Sequence, residues 1–198
     1  MTSIVAPTVL ADRLVARRSV VTDVALVGAG VAVTAVLAQV AIPLWPVPIT
    51  GQTLAVLLVG ASLGAVRGAA SLAAYALLGV AGLPIFSDQT SGLAVLAGPT
   101  GGYIVGFVIA AALTGWLAER RWDRRFLGAA VAMTAGTLVT FAVGLPWLAF
   151  ATGGSLEQVL AWGLLPFIPG GIVKALVAAA LLPLAWRGVR TLDARRGE

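Results

Sequence analysis

Few side chains in this chain could do chemistry, and the most isolated of them is a lysine. Lys174 sits in the stretch LLPFIPGGIVKALVAAALL, about one helical turn past Pro169, Gly170 and Gly171, with no acidic residue beside it. An ammonium in such apolar surroundings either reaches a headgroup layer, pairs with an acid from elsewhere, or holds an anionic ligand such as a carboxylate. A second group is PVPITGQT, residues 46–53. Its prolines stiffen a loop, and Thr50, Gln52 and Thr53 set hydrogen-bonding groups at a helix start, where backbone N–H groups are also free. Capping by Thr50 is the plain alternative to ligand binding. The third group is GPTGGYIVGF, residues 98–107. Gly98, Gly101 and Gly102 allow another backbone or a ligand to approach closely, and Thr100 can cap the helix. Tyr103 offers a flat ring and a hydroxyl suited to lining a cavity for a small cyclic ligand. Gly102 and Gly106 also form a small-xxx-small pair of the kind that packs helices.

Other chemistries are absent. The 198 residues include no cysteine and no histidine, which removes thiol chemistry, the commonest general base and the commonest transition-metal ligand. The single lysine follows a valine, so no G-x-x-x-x-G-K-[ST] nucleotide-binding loop exists. A membrane enzyme would need acids or a nucleophile inside its spans, and apart from Lys174 no base is available there. An assembly subunit with a purely structural role leaves the lysine and the glycine-rich loops unexplained.

The elements that position these groups must lie in lipid. Hydrophobic residues make up 60% of the chain and charged ones 11%, against roughly 25% charge in a soluble domain. Mean hydropathy is +1.01. Apolar runs predict helices over 20–41, 51–66, 68–82, 101–118, 126–147 and 170–186. The prolines of IPLWPVPIT end the first. Arg67 is expected at a turn between two short helices, because an arginine at the centre of one lipid-facing helix is costly. The segment 83–100 is turn-rich, and Ser155 is a candidate N-cap for a short connecting helix. The expected fold is therefore an all-α membrane protein with six transmembrane helices. Residues 1–19 form a cytoplasmic lead-in, 20–187 the membrane domain and 188–198 a basic cytoplasmic tail. The lead-in places its arginines after a short apolar stretch, the reverse of a signal peptide, and Leu10 and Leu14 give it the spacing of a two-faced surface helix.

Charge orients the bundle. With the N-terminus inside, Arg13, Arg17, Arg18, Arg67, Arg120, Arg121, Arg124, Arg125, Arg187, Arg190, Arg195 and Arg196 all fall on the cytoplasmic side, leaving Lys174 alone outside it. Both termini are then cytoplasmic, and the basic residues are topology signals rather than a nucleic-acid surface. Trp116, Trp122 and Trp186 fall near inner ends; Trp45, Trp147 and Trp162 fall near outer ends. By helix rise Lys174 stands about 18 Å from Trp186, in the outer half of the membrane. Asp88 and Glu157 are the candidate acids for it. On the first helix, Ala25 with Ala29 and Gly28 with Ala32 repeat small residues at four-residue spacing, which suits either internal packing or a docking face.

The motifs IPLWPVPITGQT, YALLGVAGLPIF, GLAVLAGPTGGYIVGF and LPFIPGGIVKA, in this order over residues 25–184, resemble the BioY family, substrate-binding (S) components of energy-coupling-factor biotin transporters. The resemblance implies six helices, cytoplasmic termini in the inner membrane, and a biotin pocket that opens outward and leaves the ligand chemically unchanged. It implies no cofactor; biotin is the transported ligand. Its partners would be a transmembrane coupling subunit and an ATPase pair, with uptake as a stand-alone facilitator, or another small anionic vitamin as substrate, as alternatives. Thr50, Gln52 and Thr53 match the loop covering the pocket; Gly98, Thr100, Gly101, Gly102 and Tyr103 match the fourth-helix motif; Lys174 matches the sixth-helix lysine. Gly28 and Ala32 match the positions that dock on the coupling subunit, and Ala25 and Ala29 extend that candidate docking face. Family members commonly read Pro-Gly-Asp before the lysine, whereas this chain has Pro169, Gly170 and Gly171. Lys174 thus lacks an i−3 carboxylate.

Overall fold

The chain is mostly helical in a computed structural model that describes residues 9–15 and 19–196. Arg17, Arg18 and the side chains of Leu14, Arg195 and Arg196 lie outside the described residues. Helix α1 spans Leu10–Leu14 and α2 spans Val20–Ala38, the latter opened by Thr22 N–H donating to the Ser19 hydroxyl at 3.2 Å. The proline-rich segment after α2 is more than a breaker. It closes a two-residue antiparallel ladder, β1 (Ala41–Ile42) with β2 (Ile49–Thr50), in the register Ala41 to Thr50 and Ile42 to Ile49. Then follow α3 (Gln52–Leu63), α4 (Ala65–Val80), a 3₁₀ turn over Ser87–Gln89 and α5 (Leu93–Ala97). Helix α6 spans Gly101–Glu119; a second 3₁₀ turn (Trp122–Arg124) leads to α7 (Phe126–Thr152), α8 (Leu156–Gly163) and α9 (Phe167–Arg196).

Among the described residues four helices, α2, α6, α7 and α9, are long and apolar enough to cross a membrane. Helices α3 and α4 have 12 and 16 residues. They reach about 18 and 24 Å, short of a hydrocarbon core of about 30 Å. Helix α6 is the central post, packed by α3, α4 and α7, whereas α2 is peripheral. Only 11% of the α2 span is buried in the protein, against 67% for α6.

The break between the two short helices falls at Gly64, not at Arg67. Gly64 has φ 89°, a left-handed value that a side chain opposes, and the Glu119 carboxylate accepts from the freed Ala65 N–H at 2.9 Å. Arg67 instead lies in the first turn of α4 and forms ion pairs with Asp12 (2.9 Å) and Asp23 (2.7 Å). Those pairs satisfy the charge whose cost suggested a turn there. Helix α1 likewise departs from the expected surface helix. Val9, Leu10 and Ala11 are buried, in a cluster with Leu117 and Trp186. Two helices are longer than expected. Helix α7 passes through Pro146 to Thr152, and α9 begins at Phe167 and continues beyond Trp186. Pro169 lies in the first turn of α9, where a missing N–H breaks no helical bond. Ser155 caps α8 as expected, with Gln158 completing a reciprocal capping box.

Trp186 and Trp147 lie inside their helices rather than at the ends, and both are tied to neighbouring segments. Trp186 is 2% exposed, and its indole N–H donates to the buried Asp123 carboxylate. Trp147 Nε1 donates to Gly98 O at 3.0 Å, tying α7 to the segment that enters α6. Trp45, 77% exposed, meets Trp162 edge-on at 5.4 Å, so β1–β2 and α8 touch through these two rings.

Candidate functional site

A cavity of about 240 Å³ opens between the β1–β2 hairpin, the 86–90 turn and the ends of α3, α6, α7 and α9 that point away from the arginines. Six of the nine residues expected to bind substrate line it: Thr50, Gln52, Thr53, Thr100, Tyr103 and Lys174.

Lys174 reaches the cavity from α9, and its ammonium donates to Thr50 O at 2.5 Å and Thr53 Oγ1 at 3.1 Å. An ammonium has three N–H donors, so one is left for a ligand. Among the described residues no carboxylate pairs with it. Glu157 is exposed on α8 and takes no part in the cavity. Asp88 does line the cavity, from an exposed position with φ 55°, yet it forms no ion pair with Lys174. The half-buried charge is therefore held by a carbonyl and a hydroxyl, which orient it without neutralising it. Gly171 borders a small recess beside Lys174, and a Cβ there would meet no atom within 4 Å.

Thr50 and Gln52 are fixed by a buried relay. The Thr50 hydroxyl donates to Gln52 Oε1 (2.8 Å), Gln52 Nε2 donates to Tyr75 Oη (2.7 Å), and Tyr75 Oη donates to Ile85 O (2.9 Å). The Thr50 oxygen also accepts from Gln52 N–H at 3.2 Å, so Thr50 closes the α3 start from outside the helix, while Gly51 occupies the N-cap position. Tyr75 was not singled out by sequence, because a tyrosine in YALLGV reads as an ordinary apolar position. Replacing it with phenylalanine leaves the Gln52 amide short of a buried acceptor. That should cost about 1–3 kcal/mol of stability, read as a lower melting temperature of the purified protein.

The remaining wall is aromatic. Tyr103 spends its hydroxyl on Gly163 O (2.9 Å) and shows the cavity its ring, nearly parallel to Phe167 (6.3 Å, 15°) and edge-on to Phe141 (6.0 Å). Thr100 occupies the N-cap position of α6, but its hydroxyl donates to Val95 O at 3.3 Å rather than capping the helix. Phe86, Phe107, Phe141 and Phe167 lacked a sequence signal, since a phenylalanine within an apolar run is the same whether it faces lipid, core or cavity. Gln39 was missed too. Its amide donates to Phe86 O at 3.1 Å and accepts from Gln89 N–H at 3.1 Å, which anchors the 86–90 turn to α2. A glutamine at the end of an apolar run was the available clue.

Gly98, Gly101 and Gly102 are not in the lining; they build the wall from behind. A Cβ on Gly101 would strike Leu96 O, and one on Gly102 would strike Trp147. The glycine motif thus brings α5, α6 and α7 close enough for Tyr103 and Thr100 to face inward. On α2, Ala25, Gly28, Ala29 and Ala32 are all exposed, and a Cβ on Gly28 would meet nothing within 4 Å. The small-residue stripe is therefore unused for packing within the described residues.

Residues 8–191 match the BioY family. A biotin transporter BioY from Rhizobium etli is 39% identical over 76% of this chain and 83% of its own length. A probable biotin transporter BioY from Pyrococcus horikoshii is 39% identical over 80% of this chain and 93% of its own. The crystal structure of an S-component for biotin from an ECF-type ABC transporter superposes with a TM-score of 0.75 at 25% identity, covering 86% of this chain and 95% of that one. These relatives are transporters, not enzymes, and the agreement over nearly the whole length makes this chain a member of the BioY family.

Proposed function

We propose that the chain binds biotin and serves its uptake across the cytoplasmic membrane as the substrate-binding component of an ECF-type transporter. The observation that carries this reading is a half-buried ammonium with a spare donor at one side of an aromatic-walled cavity, with no acid paired to it. Biotin has a flat bicyclic head and a carboxylate at the end of an alkyl chain. The Tyr103, Phe141 and Phe167 rings suit the apolar part, and Lys174 suits the carboxylate. The relatives named as biotin transporters support the choice of ligand.

In this reading six helices cross the bilayer, with the shorter α3 and α4 completing the bundle behind α2 and α6. The arginine-bearing end and both termini are cytoplasmic, because loops with an excess of arginine stay on that side. The cavity then opens outward. With no nucleotide-binding loop in the chain, uphill transport needs an ATPase pair and a coupling subunit. The exposed stripe of Ala25, Gly28, Ala29 and Ala32 offers that subunit a surface for close helix contact.

Titrating the purified protein with biotin and desthiobiotin tests the ligand. Binding well below millimolar is expected, and its absence would refute the biotin reading. Recovery of a coupling subunit and ATPases with the untagged protein from native membranes tests the assembly. Transport that persists when no such partner is present would instead make the chain a facilitator.

A further inference from the structure

At the end of the bundle opposite the cavity, Arg121, Arg124, Arg125 and Arg190 surround an open recess of about 450 Å³. Topology requires arginines on that side of the membrane, but it does not require arginines from the α6–α7 connection and from α9 to converge on one recess. Arg121 adopts a left-handed backbone (φ 69°) just after α6, a position where glycine or asparagine is easier to accommodate. The Arg124 guanidinium lies 4.2 Å over the ring of Trp186, which is itself fixed by the bond to Asp123. Asp123 is 1% exposed, accepts from the indole N–H of that ring, and is not among the residues lining the recess. Among the described residues Arg121, Arg125 and Arg190 form no ion pair. The charges work against one another: burial lowers the affinity of Arg124 for its proton, and Arg121, Arg13 and Arg190 add to that against the opposing pull of Asp123.

Such a site calls for an anion with several oxygen acceptors. Its surroundings identify the source. Phe126 and Leu127, 52% and 75% exposed, open α7 directly after Arg125. Trp116 and Trp122, 45% and 41% exposed, flank the loop, with Arg120 stacked at 3.5 Å on Trp116. Tryptophans of this kind mark the headgroup level. The recess is therefore at the boundary where apolar surface begins, with room for acyl chains beside the arginines. We propose that it binds the phosphate-bearing headgroup of an anionic lipid.

The test is titration of the full-length protein in detergent with phosphatidylglycerol, phosphatidylcholine and inorganic phosphate, with bound species read by native mass spectrometry. Retention of phosphatidylglycerol over the other two is expected. The combined Arg121→Gln, Arg125→Gln and Arg190→Gln variant should lose on the order of 100-fold in apparent affinity, about fivefold per arginine. Arg187→Gln, exposed on α9 but outside the recess, should change it by no more than about twofold, since a charge facing solvent is screened. If the triple variant does not accumulate, Arg190→Gln alone should show the fivefold loss. Equal retention of phosphatidylcholine, equal occupancy by inorganic phosphate, or a recess variant that behaves like Arg187→Gln would each overturn the proposal.

Discussion

Replacing Lys174 with alanine is expected to weaken biotin binding by about 30-fold or more while leaving a folded protein. Removing one partner of a hydrogen-bonded charge pair costs about 2–5 kcal/mol. Because Lys174 is only half-buried, the lower end of that range, about 2 kcal/mol and hence about 30-fold, is the conservative expectation. The lysine also joins α9 to the hairpin through Thr50 O and to α3 through Thr53 Oγ1, so some loss of stability accompanies the change. Lys174→Met separates the two effects. It keeps the apolar stem but removes the charge and its two hydrogen bonds, so affinity should fall as in the alanine variant while the melting temperature recovers only the part lost with the stem's packing. Calorimetric titration checks the first and thermal unfolding the second.

The second large effect is expected at Gly102. A side chain there meets Trp147 Cβ and the backbone of α7, neither of which can move without separating the two helices. Gly102→Val should therefore destabilise the protein by about 1–3 kcal/mol through overpacking, lower its melting temperature and reduce its accumulation in the membrane. Gly28→Ala is the matched control. Its new Cβ enters open space, and a change within about 0.5 kcal/mol is expected. Equal melting temperatures for Gly102→Val and the unmodified protein would remove the close α6–α7 contact from the account.

The two glycine sites also show which parts of the structure could be read from sequence. The helix order and the separation of arginines from Lys174 were legible because polar groups are costly in lipid, and the break at IPLWPVPIT because proline cannot continue a helix. The division between α3 and α4 was legible in existence but not in position. Gly60, Gly64 and Gly68 recur every four residues, and only the left-handed backbone of Gly64 distinguishes the turn. Arg67 was misleading because its partners, Asp12 and Asp23, come from segments whose contacts with it depend on tertiary packing.

In the site, polar residues with unusual surroundings could be found. Lys174, Thr50, Gln52 and Thr53 all reach the cavity. The glycines of GPTGG left two readings open, since close approach by a ligand and by a helix leaves the same small-residue pattern. The relay through Tyr75 and the Gln39 clamp were invisible for a different reason. Each joins residues far apart in the chain, so that Gln52 and Gln39 stand out as polar residues while their partners, Tyr75 and the Phe86 carbonyl, do not.

The central claim is that the Lys174 ammonium, left without an acid, recognises the carboxylate of biotin. The most direct test compares biotin with biotin methyl ester on the unmodified protein and on Lys174→Met. Esterification is expected to weaken binding to the unmodified protein by about 30-fold, and the two ligands should bind the variant within about threefold of each other once the charge pair is gone. A penalty for the ester that is just as large in the variant would contradict the claim.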